Sequence, residues 1–215
     1  EILLEGFNKK VAKLLSKSII LKNPELENKL KLFLRKTYIS ELLYDEFVIA
    51  ISGLQGAGKS TLIKEIYEID DYPLPENIIR GEKLPVMIKE KKHLTSPEMW
   101  IRKFSKEKEN YIIKLEKIES KNKFMEIATE PEIGHIILEY HIPINQNVLN
   151  TEGHSFILLP GLENNNTQNQ IWQELTNHAL TSAATCIFVL DKQQFAQGYN
   201  DQQLKQIQTN FGAAK

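Results

Sequence analysis

The stretch Gly53-Leu-Gln-Gly-Ala-Gly-Lys-Ser-Thr61 constrains the fold of this chain more than any other. It follows a short apolar run rich in β-branched residues, Phe47 to Ser52, which predicts a buried strand. After it, apolar residues recur at helical spacing: Leu62, Ile63, Ile66 and Ile69. A strand, a glycine loop and a helix in this order match the phosphate-binding pattern G-x-x-x-x-G-K-[ST]. We therefore predict that this loop binds the phosphates of a nucleotide.

The residue types in the loop explain the chemistry. Gly53, Gly56 and Gly58 let the backbone curl with its N–H groups pointing inward. The N-terminus of the following helix adds partial positive charge, which favours an anion. In this geometry Lys59 reaches the β- and γ-phosphates, and the Ser60 hydroxyl is a ligand for Mg²⁺.

Composition limits the other possibilities. The chain has 215 residues, of which 26% are charged, and a formal net charge of −1, so it lacks the basic footprint of a nucleic-acid-binding protein. The single cysteine, Cys186, fits a reducing compartment. No apolar run is long enough to span a membrane, and no signal-peptide pattern is present. We expect a cytoplasmic protein, and the start at Glu1 rather than methionine suggests a processed or truncated chain.

The remaining segments predict an α/β protein. Residues 1–22 and Glu25 to about Tyr44 have the apolar spacing of two amphipathic helices, so we predict a helical hairpin over residues 1–45. Two basic amphipathic helices can indicate binding to a membrane surface. The alternative is that they pack against a neighbouring helix or domain. Residues 97–124 predict densely charged helices. Short apolar runs predict strands at 86–89, 135–142, 155–159 and 184–190, and helices are expected near 171–180 and 201–208. Strands alternating with helices around a P-loop predict a doubly wound α/β sheet.

Two stretches resemble the dynamin family of GTPases. Ser155-Phe-Ile-Leu-Leu-Pro-Gly-Leu162 is similar to that family's apolar strand followed by Asp-Leu-Pro-Gly, and Gln55 to Ser60 is similar to its Gln-Ser-Ala-Gly-Lys-Ser. About a hundred residues separate Gly58 from Leu159, the long gap that this family shows. The bacterial dynamin-like proteins are the most similar branch. The resemblance implies a P-loop GTPase domain over residues 46–215, preceded by the helical segment.

The resemblance also implies roles for individual residues. Gln55 would orient the attacking water, and Arg80 and Gly81 would lie in the first switch, which closes over the nucleotide. Pro160 and Gly161 would form the second switch, with the Gly161 N–H near the γ-phosphate. The phosphates and Mg²⁺ would be held by the loop and the start of the helix: Gly53, Gly56, Ala57, Gly58, Lys59, Ser60 and Thr61.

At the level of function, the resemblance implies GTP hydrolysis coupled to self-assembly and membrane remodelling. The expected ligands are GTP and Mg²⁺, and the expected partners are a second copy of the chain, in a nucleotide-dependent dimer, and membrane lipid. Localisation would be cytoplasmic with peripheral attachment to a membrane. Nucleic acid is not an expected partner.

The sequence departs from the family pattern at three places. Leu158 stands where the family has its Mg²⁺-linked aspartate, and the first switch, Arg80 to Pro85, contains no threonine for the metal and the water. No Asn/Thr-Lys-x-Asp motif, which reads guanine, precedes Lys215, so we expect the GTPase domain to be truncated before it. The first two departures predict weak hydrolysis.

Two alternatives remain open. The first is an ATP-using P-loop protein in which Asp191, at the end of the apolar run Cys186 to Leu190, is the Mg²⁺-side carboxylate. The second is a module that binds nucleotide without hydrolysing it and uses the bound state to control an interaction; Leu158 and the missing threonine favour it.

Overall fold

The structure is a computed structural model of the chain. It describes most of the predicted α/β region, at residues 22–44, 46–69, 82–107, 110–132, 134–143, 154–161 and 170–190, together with Gly6, Lys10, Val11, Lys13 and Lys205. The helices and strands, in chain order, are α1 (Pro24–Tyr44), β1 (Phe47–Gly53), α2 (Lys59–Tyr67), β2 (Val86–Lys91), β3 (Glu98–Glu107), β4 (Asn110–Ile118), α3 (Lys121–Thr129), β5 (His135–Pro143), β6 (His154–Leu158), α4 (Gln170–Ser182) and β7 (Thr185–Val189).

The seven described strands form one mixed sheet in the order β4-β3-β5-β2-β6-β1-β7. Strand β1 is central to the site, because it pairs in parallel with both β6 and β7. Strand β2 runs antiparallel to β6 and parallel to β5, while β3 is antiparallel to both β4 and β5. The carboxyl ends of β1, β6 and β7 therefore meet at one edge, and β2 starts at that same edge.

Helices cover both faces of the sheet, which confirms the predicted α/β P-loop class. Alternate residues of β1 point to opposite faces, as the period of a strand requires. Ile51 packs in a core with Ile63 of α2 and Phe124 of α3. Ala50 packs in a second core with side chains of α1 and α4, including Leu175. The centre of the sheet is thus buried between two helical layers, and the central strands β1 and β6 are apolar on both sides.

Helix α1 is held firmly against α4. The Lys36 ammonium and the Glu174 carboxylate form an ion pair at 2.7 Å, and His178 Nε2 lies 2.8 Å from the carbonyl oxygen of Lys36. The Arg35 guanidinium lies 5.1 Å from the centre of the Trp172 ring, and burial lowers the pKa of Arg35 to about 10. The predicted packing of the second helix on a neighbouring helix is confirmed. Of the predicted first helix, Gly6, Lys10, Val11 and Lys13 are described and helical, and the rest lies outside the described residues.

The prediction of charged helices over residues 97–124 is wrong for most of that range. Residues 98–107 and 110–118 form the antiparallel strands β3 and β4, and a helix begins only at Lys121. The charged residues, which in the sequence suggest the solvated side of a helix, instead form ion pairs between the two strands. Lys117 and Glu98 lie 2.6 Å apart, and Lys103 and Glu116 lie 2.7 Å apart. Pairing of β3 with β5, a contact distant in sequence, decides the structure of this segment.

The four other predicted strands are confirmed, as β2, β5, β6 and β7, and the helix near 171–180 is confirmed as α4. The last predicted helix, 201–208, lies outside the described residues except for Lys205. None of the described helices is both long enough and apolar enough to cross a lipid bilayer.

A buried ionic network lies on the α1 side of the sheet. The Glu139 carboxylate is fully buried; one oxygen is 2.7 Å from His141 Nε2, and the other accepts a hydrogen bond from Arg102 Nε. Arg102 also donates to the Tyr38 hydroxyl of α1 at 2.8 Å. Burial alone would raise the pKa of Glu139, but the hydrogen bond with His141 and the charge of Arg102 lower it to about 2. The carboxylate is therefore charged and ties α1 to the sheet.

Candidate nucleotide-binding site

The predicted phosphate-binding loop connects β1 to α2. Gly56 and Gly58 have φ angles of 75° and 93°, in the left-handed region that favours glycine. Gly53 is required for a different reason, because a β-carbon there would collide with the carbonyl oxygen of Val189 in β7. The loop is closed by a hydrogen bond of 3.2 Å from the Ala57 N–H to the Leu54 carbonyl. The strand, loop and helix are therefore arranged as the motif predicts.

The first turn of α2 provides the anion-attracting end of the site. Gly58 caps the helix without a side-chain hydrogen bond, and the first helical bond runs from the Leu62 N–H to the Gly58 carbonyl at 2.9 Å. The N–H groups of Lys59, Ser60 and Thr61 precede that first bond, and such groups have no partner within a helix. Together with the helix dipole, they form a site suited to phosphate.

Lys59 lies at the bottom of this site with only 7% of its surface exposed. Its ammonium donates to the carbonyl oxygens of Leu54 at 2.9 Å and Gly53 at 3.3 Å, so it lies along the inner side of the loop. Burial lowers the pKa of Lys59, and the Glu82 carboxylate opposes that shift. A cation held in this position can attract phosphate without leaving the loop.

The segment after β6 packs directly on the loop. A β-carbon added at Gly161 would lie 2.8 Å from the Cα atom of Gln55 and 2.9 Å from its backbone nitrogen. Only glycine can approach the loop backbone this closely. The structure thus brings Gly161, of the predicted second switch, and Gln55, of the phosphate loop, together. The rest of that switch, beyond Gly161, lies outside the described residues.

Leu158 belongs to the apolar core. It is 1% exposed and pairs with Ile51 of β1 on one side and with Val86 of β2 on the other. It lies at the end of β6, at the position where the family resemblance implies a metal-linked aspartate. Because its side chain is a hydrocarbon, it contributes no oxygen to a metal.

Glu82 is a site residue that the sequence patterns do not reveal. It lies within the predicted first switch, where the sequence is notable only for a missing threonine. In the structure its carboxylate interacts electrostatically with Lys59; burial raises the pKa of Glu82, and Lys59 opposes the rise. An acidic residue a few positions before the strand β2 is the only signal that the sequence offers. Arg80, Gly81 and Asp191 lie outside the described residues.

The described residues fit an Mg²⁺ ion only when the ion is bound together with a nucleotide. No group of three or more His, Cys, Asp or Glu side chains in the described part of the chain could hold a metal by itself. This agrees with nucleotide sites in general, where Mg²⁺ keeps several waters and is held largely by the phosphates and one or two protein ligands. The Ser60 hydroxyl, in the first turn of α2, is an oxygen ligand of this kind. When bound, Mg²⁺ would neutralise charge on the phosphates.

The fold and the site define a class. A glycine loop between a central parallel strand and a helix, with a buried lysine at its end, is the phosphate-binding element of the P-loop nucleoside-triphosphate-binding proteins. Within that class, residues 49–211 match the sequence pattern of the dynamin family. The match covers well over half of the chain, so this protein belongs to the dynamin family.

Solved structures of an oligomerised bacterial dynamin pair are similar to parts of this chain. One has 20% sequence identity and a TM-score of 0.37, over 73% of this chain and 22% of that chain. Another has 20% identity and a TM-score of 0.40, over 84% of this chain and 25% of that chain. Both are described as providing a mechanism for the long-range sensing and tethering of membranes. The chain thus spans a quarter or less of the length of these proteins. No curated protein matches the chain.

Proposed function

We propose that this protein binds GTP with Mg²⁺ and hydrolyses it slowly, and that the bound nucleotide controls its self-association and its action on membranes. The observation that carries the proposal is the position of Lys59, buried beneath a loop whose backbone conformation depends on Gly56 and Gly58. In this site the loop N–H groups would hold the phosphates, and Ser60 would be a ligand of the metal. Thr61, Ala57 and Gly53 would complete the loop.

Slow hydrolysis follows from what lines the site. Gln55 would orient the attacking water, and its backbone lies close to Gly161. The Gly161 N–H would face the γ-phosphate, and Arg80 and Gly81 would close over the nucleotide. Leu158, however, offers no carboxylate to the metal side, so one usual partner of the reaction is missing.

Membership of the dynamin family supports GTP as the nucleotide and a second copy of the chain as the partner. The proposed dimer forms across the nucleotide face, so that the γ-phosphate orders both switches. Membrane lipid would be a further partner, and the protein would be cytoplasmic with peripheral attachment to a membrane. The proposed division is a helical segment at 1–45 and a GTPase domain at 46–215.

The test is a competition experiment with purified full-length protein, Mg²⁺ and a fluorescent GTP analogue. We expect unlabelled GTP to displace the analogue at concentrations at which ATP does not. Turnover is then measured as phosphate release, which we expect to be slow and to rise when the protein self-associates. Displacement by ATP but not by GTP would contradict the proposal.

A second candidate function is supported by the position of β7. Gly53 pairs with Val189, so the chain after β7 leaves the sheet beside the phosphate loop. Asp191 follows two residues later and would then be the Mg²⁺-side carboxylate of an ATP-using protein. If Asp191→Ala abolishes Mg²⁺-dependent binding, while Leu158→Asp has no effect on binding or turnover, this function is favoured over the first.

A third candidate is a module that binds nucleotide without hydrolysing it, which the apolar side chain of Leu158 supports. Phosphate release separates it from the first. A protein that binds GTP and changes its oligomeric state, yet releases no phosphate over hours, would be this module.

A further inference from the structure

The segment that precedes β2 enters the sheet beside the phosphate loop. Strands β1 and β6 are parallel, with Ile51 opposite Leu158, and β2 is antiparallel to β6, with Val86 opposite the same Leu158. Strand β2 therefore begins at the edge where β1 and β6 end. Glu82 lies four residues before Val86, so the topology alone places it at the nucleotide edge of the sheet.

The backbone next to Glu82 is anchored. The Lys83 N–H donates to the Ala128 carbonyl of α3 at 2.8 Å, and the Pro85 carbonyl accepts from the Leu138 N–H at 3.0 Å. Leu84, between them, is 1% exposed. These contacts hold the backbone from Lys83 to Pro85 in place, so they also fix the position of Glu82 relative to the phosphate loop.

Glu82 lies close enough to Lys59 for the two charges to interact. The Lys59 ammonium has three N–H donors, and two of them point to the Gly53 and Leu54 carbonyl oxygens. Glu82 is the one charged group in the described part of the chain that is shown to act on Lys59, and it does so through space. An acidic group thus lies near the lysine that is proposed to bind the phosphates, in a site where Leu158 contributes no carboxylate.

We propose that Glu82 makes triphosphate binding depend on Mg²⁺. Without metal, the Glu82 carboxylate and the phosphates compete for Lys59 and repel each other. With Mg²⁺ bound to the phosphates, the same carboxylate would be attracted rather than repelled, because carboxylate oxygen is a preferred ligand of Mg²⁺. Glu82 therefore selects the magnesium complex over the metal-free nucleotide. This inference rests on the proposed function, because it concerns the same site.

The experiment measures binding of a non-hydrolysable GTP analogue by calorimetry, once with Mg²⁺ and once with a chelator. We expect the wild-type protein to prefer the magnesium complex. Glu82→Gln keeps the shape of the side chain but removes its charge. We expect it to raise the affinity for the metal-free analogue roughly tenfold and to lower the affinity for the magnesium complex. The effect is of this size because the charge acts in a partly desolvated site. Glu82→Asp keeps the charge and should keep most of the preference for magnesium.

The matched control is Glu65→Gln, which removes one negative charge from an exposed position on α2. It should leave both affinities unchanged, and thermal melting of each variant checks that it is folded. If Glu82→Gln keeps the wild-type preference, or tightens binding equally with and without Mg²⁺, the inference is overturned while the proposed function stands. If the wild-type protein binds the analogue in neither solution, the proposed function fails and the inference fails with it.

Discussion

Gly161→Ala tests the contact between the second switch and the phosphate loop. The new methyl carbon would lie 2.8 Å from the Gln55 Cα atom, 2.9 Å from its nitrogen and 3.0 Å from its Cβ atom. Carbon atoms normally approach to about 3.5–4.0 Å, so a gap of roughly 0.7 Å or more must open. Two of the three opposing atoms are backbone, which cannot rotate away as a flexible side chain can. We expect the unfolding free energy to fall by about 1–3 kcal/mol, the usual effect of overpacking.

The displaced loop should also bind nucleotide less well. We expect the affinity for the magnesium complex of GTP to fall about tenfold or more, which corresponds to about 1.4 kcal/mol or more. Urea unfolding and calorimetry measure the two effects. The control is Gly134→Ala, where the nearest atom to the new methyl group is the Phe104 carbonyl oxygen at 3.4 Å; its stability should change by no more than about 0.5 kcal/mol. Wild-type stability and affinity in Gly161→Ala would refute the close contact.

Three further predictions concern stability, hydrolysis and assembly. The pKa of Glu139 is lowered from 4.5 to about 2, so its charge contributes about 3 kcal/mol to the free energy of unfolding. This contribution is present above pH 4.5 and is lost as the pH falls toward 2. Urea unfolding across this range should show that Glu139→Gln loses this part of the acid sensitivity. Leu158→Asp puts a carboxylate in the apolar core, so we expect it to destabilise the nucleotide-free protein by about 2–5 kcal/mol. Thermal melting should show that Mg²⁺ and GTP restore stability, and a phosphate-release assay should show faster hydrolysis. Light scattering should show a monomer without nucleotide and a two-fold dimer with a GTP transition-state mimic, and Gln55→Ala should form less dimer. An oligomeric state that does not change with nucleotide would contradict this last prediction.

The phosphate loop is predictable because its signal is local. The glycines, Lys59 and the flanking apolar runs all lie within about twenty consecutive residues, and each residue type is required by the backbone or by the ligand. The buried strands are predictable for a similar reason, since runs such as Phe156 to Leu158 are apolar on both faces of the sheet. In these segments the local preference and the final fold agree.

The hairpin β3–β4 is not predictable in the same way. Its charged residues lower the local preference for a strand, and the contacts that decide its structure are made with β5, more than thirty residues away from the start of β3. Glu82 escapes prediction for a related reason. Its proposed role depends on the antiparallel pairing of β2 with β6, which places it near Lys59, and no pattern in the sequence indicates that pairing.

The most direct measurement of the central claim is calorimetry of the magnesium complex of GTP with wild-type protein, Lys59→Ala and Lys29→Ala. Lys59 is buried in the phosphate loop, whereas Lys29 forms an exposed ion pair with Glu25 on α1, so the two variants lose the same charge in different places. We predict saturable binding to the wild-type protein and to Lys29→Ala, and no measurable binding to a folded Lys59→Ala. Unchanged affinity in Lys59→Ala would contradict the assignment of the loop as the nucleotide site.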